Sequence, residues 1–198
     1  MQPIPVSLLG AGAEIDLLTG ATSEEFNAFF VAGGVRDKLN RWIAWFVLSR
    51  ASPRAWKALE AYGLNEKGAS PGKVLCRAAT DLMFRWPARR NADLHKGRAY
   101  VYEFEWRSPA FGGELGAAHA MELPFVFDTL ACASGERGFL GVDPPQALAD
   151  SVHALWIRFA TDGTVPWPEY DSQTRQVYSL TKGVAAYEAP PPAAAFLP

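Results

Sequence analysis

The chain has 198 residues, of which 49% are hydrophobic and 20% charged, which is enough apolar content for one sizeable core. Its formal net charge of -2 at pH 7 gives no electrostatic reason to expect binding to nucleic acid or to an anionic membrane. No run of about 18 apolar residues occurs, so a transmembrane helix is not expected. The N-terminus has no basic segment followed by an apolar core, so no signal peptide is expected either.

The first predicted elements are a strand and a helix. Residues 16–19 form a short apolar segment that predicts a strand, followed by a turn at Gly20 and an acidic helix start. Further on, Ser52 and Pro53 are residue types preferred at the start of a helix, and Gly63 is a typical C-terminal stop. These signals predict a helix between them. Its apolar face carries Trp56, Leu59 and Tyr62.

Two further helices are predicted from similar signals. Ser70 and Pro71 repeat the start signal, and Trp86-Pro87 is expected to end this helix because proline lacks the amide N–H. Residues 143–146 resemble a capping box, which predicts a helix that ends at Gly163. The apolar stripes consist of Val74, Ala78 and Leu82 in the first helix, and of Leu148, Val152, Leu155 and Phe159 in the second.

Alternating patterns predict three more strands. Residues 100–106 alternate aromatic with smaller or charged residues, which is typical of a strand with one buried face. Glu103 and Glu105 indicate that its other face is partly polar. Residues 177–180 and 184–187 predict a terminal hairpin with a glycine-containing turn.

One domain is expected over residues 1–188, followed by a Pro/Ala-rich tail over residues 189–198. From Pro190 onward this tail is expected to be extended and poorly ordered. The two cysteines, Cys76 and Cys132, are too few for a disulfide framework. Both are predicted to be structural thiols, which favours a reducing, cytoplasmic location.

The most informative motif surrounds His119. Residues 116–127 read Gly-Ala-Ala-His-Ala-Met-Glu-Leu-Pro-Phe-Val-Phe, and the small residues on both sides leave the imidazole accessible. An imidazole has an ordinary pKa of about 6.5, so it can take up and return a proton near neutral pH. The motif resembles that of the type-B carboxylesterases of the cholinesterase and para-nitrobenzyl-esterase kind, whose catalytic histidine lies in a Gly-Ala-x-His-x-x-Glu-Leu-Pro-Phe-x-Phe context. Ala120 departs from that family, which usually has glycine there.

Other segments resemble the same family in the same order. Residues 16–26 look like its strand-Gly-x-x-x-x-Glu segment, which places the acid of the catalytic triad at Glu25, with Glu24 as its solvent-facing neighbour. The remaining similar segments are residues 80–87, 159–163 and 167–170. The resemblance therefore extends from about Ile15 to about Tyr170.

The resemblance implies the α/β class: the C-terminal part of an α/β-hydrolase fold, with a mostly parallel sheet, flanked by helices on both faces and incomplete. It also implies a serine carboxylesterase in which Glu25 orients His119, without cofactor or metal. In that family the nucleophile and the glycine-rich oxyanion loop precede the acid. Before Glu25 this sequence contains no Gly-x-Ser-x-Gly, and its glycine pairs, Gly33-Gly34 and Gly112-Gly113, follow Glu25. We therefore expect no nucleophile within these residues, and no activity from the chain alone.

Two functions from different classes remain open. The first is the part of an ester hydrolase that acts on a small-molecule ester together with an upstream carboxylesterase segment. The second is a non-catalytic remnant that serves as an interaction module, because an incomplete sheet leaves a strand edge and apolar faces uncovered. Both predict association with an upstream segment or self-association. Retention of Glu25 and His119 favours the first.

Several other residues have structural interpretations. Glu122 forms a His-x-x-Glu pair with His119, but no third ligand has a suitable spacing, so a buried structural glutamate is expected rather than a metal site. Asp81 is expected to be structural as well. The expected surface residues are Arg85, Arg89, Arg90, His95 and His153. The aromatic residues expected either in a cleft near His119 or in the core are Trp86, Trp106 and Phe111.

Overall fold

A computed structural model describes residues 12–196 of the chain. The strands are β1 (Leu17–Thr22), β2 (Ala99–Phe104), β3 (Gln176–Ser179) and β4 (Val184–Tyr187). The helices are α1 (Asn27–Phe30), α2 (Arg41–Ser49), α3 (Ala55–Ala61), α4 (Pro71–Thr80), α5 (Trp86–Leu94), α6 (Leu123–Val126) and α7 (Gln146–Asp162). A π-helical segment, Asp81–Arg85, joins α4 to α5 and is called the π-turn below. Over the described range, no helix is long and apolar enough to cross a membrane.

The strands form one sheet in the order β1-β2-β3-β4. Strands β1 and β2 are parallel, β2 and β3 are parallel, and β3 and β4 form the predicted antiparallel hairpin. The predicted α/β class with a mostly parallel sheet is thus confirmed. Because β1 and β2 are parallel, their carboxyl ends lie at the same edge of the sheet, which is where open α/β sheets place their ligand sites.

Strand β2 has helices on both of its faces. Tyr102 and Phe104 pack with α6 and α7 on one side, and the ring of Trp156 in α7 lies 5.0 Å from that of Tyr102. Val101 points to the other side, where it packs with Ala92 of α5. A second core lies among α2, α3 and α4 and includes the fully buried Ala44, Leu59 and Leu75. The burial of Val74, Ala78 and Leu82 confirms the predicted stripe of α4.

The start of α4 is as predicted, whereas α3 starts later. Ser70 is the N-cap of α4, and its hydroxyl accepts a hydrogen bond from the backbone N–H of Lys73 at 3.5 Å. The hydroxyl of Ser52 instead accepts from the N–H of Arg54, so it stabilises a turn that precedes α3. Gly63 follows α3 with a φ of 90°, a left-handed conformation that suits glycine and ends the helix.

The prediction that Trp86-Pro87 ends the helix is wrong. The N–H of Trp86 donates to the carbonyl of Asp81, five residues back, and the chain continues as α5 to Leu94. In a regular α-helix the ring of Pro87 would collide with the carbonyl of Met83, four residues back. The wider π-turn accommodates the proline, so the helix changes its winding instead of ending.

Helix α7 begins where the sequence predicts but without a capping box. Its N-cap is Pro145, which offers no side-chain hydrogen bond, and Asp143 has a φ of 58°. The side-chain amide of Gln146 donates instead to Asp128 and Asp150. The end of α7 is as predicted, since Gly163 is left-handed with a φ of 64°.

The predicted disorder of the tail is wrong for its described part. Ala193 is completely buried in the core among α2, α3 and α4, and Ala194–Phe196 form one 3-10 turn. The small side chain of Ala193 packs into this core, which orders the part of the tail around it. Residues 1–11 of the predicted domain and residues 197–198 of the tail lie outside the described range.

Candidate active site

Glu25 lies just beyond the carboxyl end of β1. Its side chain is 6% exposed, and its Oε1 accepts a hydrogen bond from the backbone N–H of Thr22 at 2.7 Å. The next residue, Phe26, donates its N–H to the hydroxyl of Thr80, the last residue of α4. Two elements therefore fix the turn that presents the carboxylate.

His119 lies in the loop that follows β2, at the same edge of the sheet. Its Nδ1 lies 2.7 Å from Oε2 of Glu25, and its backbone N–H donates to the carbonyl of Glu25 at 3.2 Å. The His119 side chain is 49% exposed, and no described residue forms a hydrogen bond with its Nε2. The fold thus brings together two residues 94 positions apart. A ring protonated at Nδ1 donates to the carboxylate and leaves the Nε2 lone pair accessible.

Glu24 was expected to face solvent, and this prediction is wrong. Its carboxylate is partly buried, forms an ion pair with Arg107 and accepts a hydrogen bond from the N–H of Ala117 at 3.0 Å. In return, the N–H of Glu24 donates to the carbonyl of Ala117 at 2.9 Å. Gly116 has a φ of 64°, and an added Cβ there would overlap the Glu24 carboxylate. Glu24 therefore connects the loop that carries His119 to the turn that carries Glu25.

Ala120 provides a test of the loop conformation. Its φ is 63°, which explains why glycine suits this position, since a left-handed conformation costs an L-residue about 1–2 kcal/mol. Glycine also makes the unfolded chain more flexible, and this entropic effect lowers the free energy of unfolding by about 0.4–1 kcal/mol. We therefore expect Ala120→Gly to raise the free energy of unfolding by about 0.5–1 kcal/mol, as measured by urea denaturation. Ala118→Gly, at a buried position without positive φ, is the control and should lower it.

Two phenylalanines, neither of them singled out from the sequence, lie against the His119 ring. Phe29 and Phe84 have ring centroids 5.9 Å and 5.3 Å from that of His119. Trp106 packs on Phe125 in the core, so for Trp106 core packing is the correct interpretation. Trp86 borders the arginine cluster described below, and Phe111 is exposed in a turn. One signal was available for Phe29, because it lies four residues after Glu25 at a helix start.

Glu122 is partly buried near the candidate pair. Its Oε2 is buried and has no hydrogen-bond partner, and burial raises the pKa of this carboxyl, with the negative charge of Glu25 adding to the effect. The described residues contain no group of three or more side chains suited to hold a metal ion. The burial of the Glu122 carboxyl fits the predicted buried glutamate.

The buried carboxyl of Glu122 leads to a prediction about pH. Because the pKa of Glu122 is raised on folding, the wild-type chain loses stability as the pH rises from the unfolded-state pKa, about 4.3, through the folded-state value. Glutamine has no such ionisation. We expect Glu122→Gln to melt at a higher temperature than wild type at pH 8, with a gap that narrows toward pH 4. A gap that widens on acidification would contradict the assignment.

The predicted solvated basic face is wrong for Arg85 and Arg89. Arg89 is 3% exposed, and both guanidinium groups contact the carboxylates of Glu103 and Glu188. Arg85 also pairs with Asp81 at 2.6 Å, which is the structural role expected for that aspartate. Burial raises the pKa of Glu103, and the arginines only partly offset it. For Glu188 burial acts in the same direction, but Arg89 and Arg85 outweigh it and the pKa is lowered.

The remaining surface predictions have mixed outcomes. Arg90 is exposed and pairs with Asp93 at 3.1 Å, as expected of a solvated side chain. His95 and His153 are only partly exposed, and each ring contacts a backbone carbonyl, of Ile15 and Val126 respectively.

Of the two cysteines, Cys76 is a structural thiol as predicted. It is buried, and burial raises the pKa of its thiol to about 11. Cys132 is exposed, so the prediction of a structural thiol is wrong for this residue. It lies in a short 3-10 turn between α6 and α7, which leaves the side chain at the surface.

The sequence is similar to those of known proteins. The model of the Carboxylesterase family matches residues 2–193. Phenmedipham hydrolase of Pseudarthrobacter oxydans is 30% identical over 160 residues, which cover 76% of this chain and 31% of that protein. Para-nitrobenzyl esterase of Bacillus subtilis is 28% identical over 180 residues, which cover 86% of this chain and 35% of that protein. The chain thus spans about a third of the length of these relatives.

Solved structures of carboxylesterases also resemble this chain. The carboxylesterase of Geobacillus stearothermophilus superposes with a TM-score of 0.67 and 26% identity, over 90% of this chain and 40% of that one. A para-nitrobenzyl esterase superposes with the same TM-score and identity, over 92% of this chain and 38% of that one. The shared fold and the match over nearly all residues lead to one conclusion: this chain belongs to the carboxylesterase family.

Proposed function

We propose that this chain contributes the acid and the base of a serine carboxylester hydrolase, with Glu25 as the acid and His119 as the base. The observation that carries the proposal is the 2.7 Å contact between Nδ1 of His119 and Oε2 of Glu25, with the opposite edge of the ring accessible. The buried carboxylate holds one tautomer of the imidazole and stabilises the imidazolium that forms during the reaction.

In the proposed mechanism Nε2 of His119 removes the proton from a serine hydroxyl as that oxygen attacks the ester carbonyl. The same proton then passes to the leaving alcohol, and a second cycle with water releases the acid and regenerates the serine. The serine and the oxyanion donors are supplied by an upstream carboxylesterase segment, since no Gly-x-Ser-x-Gly precedes Glu25. Residues 68–72 do read Gly-Ala-Ser-Pro-Gly, but they follow Glu25, and Ser70 is the N-cap of α4, where its hydroxyl accepts from the N–H of Lys73. The substrate is a small-molecule carboxylic ester. A cytoplasmic location stays a prediction.

A second candidate function is partner binding without catalysis. One observation favours it: α2 presents large aromatic side chains to solvent, with Trp42 67% and Phe46 57% exposed. Exposed apolar patches mark interaction surfaces in many proteins. This function predicts association with an upstream segment or with a second copy, and no dependence of any activity on His119.

The two functions are separated by one experiment with para-nitrophenyl acetate. Hydrolysis is measured for the chain alone, and for the chain combined with an upstream carboxylesterase segment that carries Gly-x-Ser-x-Gly. We expect no turnover from the chain alone and turnover from the combination. A folded chain that binds the segment and gives no turnover would support the binding function instead.

A further inference from the structure

We propose that Phe84 and Phe29 are positioning residues that hold the His119 ring in the orientation in which Nδ1 meets Glu25. This inference rests on the proposed function, because it concerns the base of that reaction. The rings of Phe29 and His119 are stacked, with centroids 5.9 Å apart and planes inclined by 29°. The ring of Phe84 lies closer, at 5.3 Å, and is inclined by 50°.

The contact with Glu25 cannot by itself fix an exposed imidazole. That contact is the one side-chain hydrogen bond of His119 within the described range, and about half of the side chain is accessible to solvent. A single hydrogen bond allows the ring to pivot about its axis. Aromatic rings on the imidazole restrict that rotation, because turning the ring would bring its edge into their carbon atoms.

Phe84 is well suited to this role because contacts on two sides fix its position in the π-turn. On one side Asp81 and Arg85 form an ion pair at 2.6 Å within the buried arginine cluster. On the other side the rings of Phe84 and Phe26 pack edge to face, with their centroids 6.5 Å apart. Phe26 directly follows Glu25, the proposed acid. π-Helical turns are often found at functional sites. Here the wider turn presents Phe84 to the imidazole while Asp81 and Arg85 remain in the buried cluster.

The two phenylalanines also affect the charge that develops during proton transfer. When His119 accepts the serine proton it becomes an imidazolium, and cations are attracted to the faces of aromatic rings. This attraction operates after the proton has moved, so it favours the transition state rather than substrate binding. Loss of the rings is therefore expected to lower kcat and leave KM unchanged.

The test uses the 198-residue chain and needs no turnover. Nitrogen NMR of the imidazole reports which ring nitrogen carries the proton, and the exchange of the Nδ1 proton with water reports how long the ring stays against Glu25. For wild type we expect one neutral tautomer, protonated at Nδ1. We expect Phe84→Leu and Phe29→Leu each to mix the tautomers and to speed this exchange by about tenfold or more, since only the hydrogen bond and one aromatic ring then restrain the imidazole.

The controls separate loss of positioning from loss of fold. Phe46→Leu changes an exposed ring on α2 that lies over Arg50, and it should leave the His119 signals as in wild type. Phe84→Tyr keeps the ring and should restore them. Phe29 is largely exposed, so Phe29→Leu remains informative if Phe84→Leu does not fold. Unchanged tautomer and exchange in Phe29→Leu and in folded Phe84→Leu would overturn the inference.

Activity distinguishes this inference from the proposed function. The chain together with the upstream segment that carries Gly-x-Ser-x-Gly is called the combined enzyme. In it we expect Phe84→Leu to lower kcat by about 10-fold to 100-fold, because small misplacements of a catalytic group have effects of this size. If His119→Ala leaves activity unchanged while Phe84→Leu alters the imidazole signals, the proposed function fails and the positioning role stands. If His119→Ala abolishes activity and the phenylalanine variants change neither signals nor kcat, the positioning role fails alone.

Discussion

Alanine in place of His119 is expected to lower kcat for ester hydrolysis by about 10⁴-fold or more in the combined enzyme, because no other group in the described site can remove the serine proton. Glu25→Gln is expected to lower kcat by about 10⁴-fold, since the glutamine amide can donate to Nδ1 and so favours the tautomer that carries its proton on Nε2. The measurement is the steady-state rate with para-nitrophenyl acetate at pH 7 to 8.

Matched variants show whether these losses are specific. His95→Ala removes a histidine that contacts the carbonyl of Ile15, and Glu60→Gln changes an exposed carboxylate on α3. Both should retain nearly all of the wild-type rate. The double variant of His119 and Glu25 should be no slower than His119→Ala, because the acid acts through the base. Equal rates for wild type and His119→Ala would refute the proposed mechanism.

The second large effect concerns stability and the buried arginine cluster. We expect Arg89→Leu to lower the free energy of unfolding by about 3–5 kcal/mol, because it leaves the carboxylates of Glu103 and Glu188 buried without their closest cation. The loss should be largest at high pH and shrink on acidification, because protonation removes the uncompensated charges. Urea denaturation at several pH values measures both features.

A neighbouring arginine provides the control for this prediction. Arg90→Leu removes an exposed ion pair with Asp93 and should change stability by about 0.5 kcal/mol or less. Replacing Arg89 and Glu103 together with apolar residues should recover much of the loss, because the buried charges then disappear in part as a pair. An equal effect of the Arg89 and Arg90 variants would show that the cluster contributes little.

Local signals in the sequence predicted elements whose causes are themselves local. Ser70 with Pro71 marks the start of α4, and Gly163 marks the end of α7, because capping and left-handed conformations depend on a few neighbouring residues. The failures depend on distant contacts instead. Arg89 contacts Glu188, which lies 99 residues away, so no local pattern could reveal that this arginine is buried.

The candidate site divides in the same way. Glu25 and His119 were identified because each lies in a motif that resembles a known family. Glu24 and Phe84 were not, since their roles arise only when the loop after β2 meets the π-turn and the end of β1. Motif similarity can identify candidates for the reacting groups, whereas the side chains that hold them depend on the folded geometry.

The reciprocal hydrogen bonds between Glu24 and Ala117, with that from His119 to the Glu25 carbonyl, mean that the proposed acid and base already lie together before the proposed nucleophile arrives. The entropy of orienting the imidazole is lost when the chain folds, not when its partner docks. An incoming segment therefore has to align only one hydroxyl group with a lone pair that already faces outward. Once the segment has docked, few rotations and translations would remain to be fixed before the proposed reaction can start.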